Sequence, residues 1–138
     1  MRKVQIMSVA LAGALLASCG GAGGGNAYTA SLAAAPNVAS EGTGTGDFTF
    51  DPETMELSWT IEYEGLTGPA SAAHIHGPAD PGANAGVVVP FTSAASPITG
   101  SATLTEAQAA DLAAGRYYVN IHTAANRGGE IRGQIEAE

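Results

Sequence analysis

The sequence predicts an all-β sandwich or barrel, and three observations carry that reading. The stretch "MELSWTIEY" (55–63) alternates apolar and polar residues at a strict period of two, the signature of a half-buried strand. Shorter runs of the same kind recur between turn residues, in a chain with 19 glycines among 138 residues. Only one segment, "TEAQAADLAAG" (105–115), leaves that period. Together they give about eight short strands and one helical turn at hairpin-like spacing.

The elements follow in order. "AYTASLA" (27–33) alternates weakly. "GDFTF" (46–50) places Phe48 and Phe50 on one face. "DPET" (51–54) is a turn with proline at its second position, so it joins this strand to the next as a hairpin. In 55–63, Met55, Leu57, Trp59, Ile61 and Tyr63 face one way, and Glu56, Ser58, Thr60 and Glu62 the other. "AAHIHG" (72–77) is a short strand ended by a Gly-Pro pair. "GVVVPF" (86–91) is interrupted by Pro90, as at an edge or a strand end. "ITGSATL" (98–104) reads as a strand. Thr105 then caps a short helix, Gln108 stands three residues on, and Gly115 closes it. "RYYVNIHT" (116–123) and "GEIRGQIE" (129–136) are the last two strands, joined by "AANRG". The expected core comprises Phe48, Leu57, Trp59, Ile61, Ile75, Val119, Ile121, Ile131 and Ile135.

The first 25 residues read differently. "MRK" supplies positive charge, and "VQIMSVALAGALLA" is an apolar run short for a membrane span, as in a secretory signal. It ends in "LASC", which resembles the bacterial lipobox. That resemblance implies cleavage after residue 18 and lipidation of Cys19, the only cysteine. No intramolecular disulfide can then form. "GGAGGG" (20–25) follows as a flexible tether. The expected organisation is a signal peptide over 1–18, a lipidated cysteine and tether over 19–25, and a folded domain over 26–138. The expected location is the cell envelope, with the membrane as partner through the anchor. Gly20 and Gly21 carry no acidic retention signal, which points to the outer membrane of a diderm host, facing the periplasm or the cell surface.

A formal charge of −8, with no basic patch, argues against nucleic acid and anionic lipid as partners. No cysteine lies in the folded part, and no Gly-x-Ser-x-Gly, P-loop or dinucleotide fingerprint appears. The chemistry that remains rests on three histidines. His74 and His76 share one face of their strand; His122 shares a face with Tyr118 and Asn120. Alternation places all three on outward faces, together with Glu130, Arg132 and Gln134. Neutral imidazole is the commonest metal ligand, so neighbouring strands would bring three ligands together. If the strands are not neighbours, these are three solvent-facing histidines, and spacing alone leaves both readings open.

Beyond pattern, "AAHIHGPADPGANAGVVV", "LTEAQAADLAAGRYYVNIHT" and "NRGGEIRGQI" closely resemble the CHRD domain, the chordin-type module of secreted proteins. The likeness runs over about 28–136; Arg127 stands where that family often has proline. The family in turn resembles Cu/Zn superoxide dismutase, which implies an immunoglobulin-like Greek-key sandwich of eight strands. It also implies that the His-x-His strand lies beside the "YVNIHT" strand. By that likeness His74, His76 and His122 form one copper site, with zinc as the rival metal, and Asn120 is a candidate group for orienting a ring. The dismutase needs a bridging histidine and further zinc ligands, whereas this chain offers only Asp80 and Asn84 in the loop after His76. The expectation is therefore a non-catalytic copper-binding lipoprotein. A metal-free adhesion module with an unidentified protein partner is the alternative, and a copper redox enzyme a third reading.

Overall fold

Eight strands and one helix build the domain in a computed structural model that describes residues 26–138. The strands are β1 (Asn26–Ala34), β2 (Thr43–Asp51), β3 (Glu56–Glu64), β4 (Ala70–His76), β5 (Val87–Pro90), β6 (Ile98–Thr103), β7 (Tyr118–Thr123) and β8 (Ile131–Ala137). Helix α1 (Glu106–Ala113) lies between β6 and β7. The expected signal peptide, lipidated cysteine and tether lie outside the described residues.

All the strand pairs are antiparallel, in the order β5-β4-β7-β8-β1-β2-β3-β6. The β8–β1 pair joins two four-stranded halves, and the sheet curls into a nearly closed barrel. β6 skips both β4 and β5 to pair with β3, and β7 reaches back to pair with β4. This is Greek-key connectivity. The fold class read from the sequence stands, including the number of strands and the single helix.

Alternation puts every expected core residue inside. All nine are at most 7 % exposed, and they join Tyr28, Leu32, Ile98, Leu104 and Tyr117 in one cluster drawn from both halves. Trp59 packs against Phe91 at 5.0 Å between ring centroids. Opposite it in the register stands Gly100, where a Cβ would come within 2.9 Å of the indole. The helix forms as its caps dictate. Thr105 Oγ1 accepts from Gln108 N at 3.2 Å, and Gln108 Oε1 accepts from Thr105 N at 2.9 Å. This capping box satisfies two amides that the first turn leaves free. Gly115 follows the helix at φ +72, and α1 contributes its one fully buried side chain, Leu112, to the core.

One expectation fails. The outward face of β4, β7 and β8 is not open to water. Tyr118 is 1 % exposed, Asn120 5 % and His76 8 %. The loop 77–86 folds back over this face. Gly77 N donates to Gly86 O at 3.1 Å, which closes the loop, and Ala79 N donates to Arg116 O at 2.8 Å. Gln134 Nε2 reaches both Ala79 O (3.0 Å) and Gly115 O (2.7 Å). Polar side chains alternate outward because they must pair with the loop backbone, since buried amides and carbonyls need partners.

Candidate metal centre

The centre begins with strand register. β4 pairs with β7 so that Ala72 faces His122, His74 faces Asn120 and His76 faces Tyr118. His74 and His76 point to one face because they are two residues apart. His122 reaches that same face one diagonal step from His74, within reach of long side chains. The three rings converge, with centroids 4.9 to 5.6 Å apart. One ligand atom from each lies within 4.8 Å of the others.

Two backbone carbonyls fix which nitrogen each ring offers. Arg127 O lies 2.8 Å from His122 Nδ1, and Ala85 O lies 2.9 Å from His76 Nδ1. A carbonyl can only accept, so each Nδ1 carries its proton and the lone pair sits on Nε2. His122 Nε2 then faces His74 Nδ1 at 3.1 Å. His76 Nε2 is buried without a hydrogen-bond partner among the described residues. A buried nitrogen with a free lone pair, aimed among two others, is what a bound cation would satisfy. An ion about 2 Å from each nitrogen would draw the rings inward, since two ligands of one ion stand no more than about 4 Å apart. These residues fit a metal, with His76 and His122 offering Nε2 and His74 offering Nδ1 once the proton it donates to His122 has moved to its own Nε2.

Electrostatics favour the neutral form of His74 and His76. Burial pushes the His74 pKa down, and the nearby His122 and His76 rings push the same way. Burial also lowers His76; the Ala85 carbonyl opposes this, while His122 and Arg132 reinforce it. His74 and His122 are half-buried and border an open pocket with Ser71, Ala72, Ala124 and Arg127, so an ion can reach the rings from solvent.

Asn120 stands opposite His74 in the register and bonds to the backbone of the next turn rather than to an imidazole. Its Nδ2 donates to Gly128 O at 3.0 Å, which grips the turn whose Arg127 carbonyl holds His122. Gly129 packs on this amide at φ +120. A Cβ there would fall 1.9 Å from Asn120 Oδ1, so only glycine fits. Of the two loop residues weighed as ligands, Asp80 lies outside the cluster and Asn84 accepts from Arg132 Nη1 at 3.1 Å.

Glu130 is the largest surprise. It is fully buried rather than outward, and it makes no ion pair with Arg132. Its carboxylate accepts from Ser40 Oγ (2.9 Å), Thr67 N (2.9 Å), Thr67 Oγ1, Thr123 Oγ1 (2.9 Å) and Asn126 Nδ2 (3.2 Å). One side chain thereby ties the β1–β2 loop, the β3–β4 loop and the β7–β8 turn together. Burial pushes its pKa up. The hydrogen bonds from Thr67, Ser40 and Thr123 outweigh that and hold it at about 2. Ser40, Thr67 and Glu130 lie far apart in the chain, so no local motif announces the clamp. The carbonyls of Ala85 and Arg127 have no side-chain signature at all.

Comparison with known proteins agrees with this architecture. The family model of the CHRD domain matches residues 28–135, from the third residue of β1 to the fifth of β8. No curated protein matches the chain, and neither does any solved structure. The match spans the histidine strands, the loop over them and the Glu130 clamp: the chain belongs to the CHRD-domain family.

Proposed function

We propose that this CHRD domain binds one copper ion through His74, His76 and His122. In this reading the protein is an envelope-anchored lipoprotein that buffers or transfers the metal and is not an enzyme. The observation that carries it is the lone pair of His76 Nε2, buried and unpartnered beside two further imidazole nitrogens. Copper is favoured in either oxidation state: among divalent first-row ions nitrogen sites bind copper(II) most tightly, and three histidines also suit copper(I). Zinc, with the same three ligands and a water, is the rival. The "LASC" stretch with Cys19 and the glycine tether after it support the anchor. A mature N-terminus without a lipidated Cys19, read by mass spectrometry, would remove that part of the reading.

Copper titration of residues 26–138, which carry the whole core and every strand pairing, tests the site. His122→Ala should lose about 100-fold or more in affinity, because two ligands remain of three. Equal affinity would take His122 out of the site. Protons compete for the same lone pairs, so affinity should fall on acidification. The lowered pKa values of His74 and His76 place their part of that loss below pH 6.5, the ordinary histidine value. Absence of stoichiometric copper binding would favour the metal-free adhesion module.

A further inference from the structure

A cation is built into the wall of the histidine cluster. The guanidinium of Arg132 lies over the Tyr118 ring, with Cζ 3.6 Å from its centroid. Tyr118 in turn stacks on His76, with centroids 5.2 Å apart and planes within 15°. The result is a column of Arg132, Tyr118 and His76 that ends at the cluster. The column is held at both ends. Arg132 Nη2 donates to Ala83 O at 2.8 Å and Nη1 to Asn84 Oδ1, while Tyr118 Oη meets Ala85 N at 3.0 Å. Among the described residues no carboxylate lies within ion-pair distance of Arg132, so its charge stands uncompensated.

The donors carry no charge of their own to offset this. The group that could hold an ion is three imidazoles, with no carboxylate or thiolate in it. Arginine is charged at every accessible pH. Its repulsion of an ion scales with the ion's charge, so a divalent ion suffers twice the penalty of a monovalent one. The partial burial of the cluster limits screening by solvent salt.

We propose that Arg132 makes the histidine cluster a site for monovalent copper, Cu(I), in preference to Cu(II). The inference rests on the copper reading above and adds the charge state of the ion. Arg132 does not touch the metal; it acts through Tyr118 and His76 as a positioned charge.

The test uses the full chain in detergent. Cu(I) affinity is measured anaerobically by competition with a colorimetric Cu(I) chelator, and Cu(II) affinity by competition with nitrilotriacetate. The readout is the ratio of the two. Arg132→Gln should lower the Cu(I)-to-Cu(II) affinity ratio about tenfold, equivalent to a fall of about 59 mV in a one-electron potential. Arg132→Lys keeps the charge without the planar fork and should hold the ratio within about threefold of the parent chain. If Arg132→Gln weakens both ions equally, or leaves the ratio unchanged, Arg132 is only a brace for the 77–86 loop and the proposal fails. A lysine variant that falls with the glutamine variant would also overturn it, since geometry rather than charge would be responsible. Failure of the parent chain to bind either ion would overturn the copper reading itself, an outcome distinct from an unchanged ratio.

Discussion

The two outer faces of the barrel are written in the same alternating pattern and have different fates. On β2 and β3, Thr45, Asp47, Thr49, Thr60 and Glu62 point outward and stay exposed. On β4, β7 and β8, the residues that point outward include Tyr118, Asn120 and His76, all buried. The first face meets water; the second meets the 77–86 loop and the β7–β8 turn. A period of two gives the direction of a side chain and says nothing of what waits there. The candidate site exists because the second face is roofed. The roof supplies the carbonyls that set the tautomers and excludes water from His76.

The contrast can be tested by comparing losses of stability. Trp59→Ala sets the scale for the inner layer that both halves share. It should cost about 3–5 kcal/mol in chemical denaturation, the usual range for emptying a large core position. Glu130→Gln comes next. A neutral amide cannot accept from five donors and turns its own N–H groups toward some of them, so a loss of about 3 kcal/mol is expected.

Acid should act on the roofed half through the same carboxylate. Its pKa is about 2 in the fold against an ordinary 4.5. A depressed carboxylate adds stability that is fully present above 4.5 and disappears as pH falls toward 2. Urea midpoints of the parent chain should therefore decline across that window more steeply than those of Glu130→Gln. Parallel profiles would show that Glu130 is not the group responsible. The smallest effect belongs to the bare face. Glu62→Gln should stay within about 0.5 kcal/mol, as exposed substitutions do. A larger loss there would erase the contrast.

Much of the fold was legible because apolar alternation is a local property. Leu57, Trp59 and Ile61 declare their face within one strand, and Thr105, Gln108 and Gly115 declare a helix within one turn. The histidine cluster was legible only in part. Alternation paired His74 with His76, but the placement of His122 beside them depends on which strands are neighbours, and that came from family resemblance. Glu130 escaped because its donors Ser40 and Thr67 lie 90 and 63 positions away. Its alternation matched that of an exposed residue such as Glu62. Alternation put Arg132 and Glu130 on one outward face, whereas the two side chains serve different loops.

His74 and His122 are 48 positions apart in the chain, on strands brought together only by the folded barrel. An ion seated between them would close a long covalent loop, as a disulfide does, and would draw its strength from the freedom it denies the unfolded chain. The described domain contains no cysteine with which to build such a link permanently. The histidines offer it in a form that a chelator or acid can undo, so the mechanical tightness of the β4–β7 seam would rise and fall with the supply of metal.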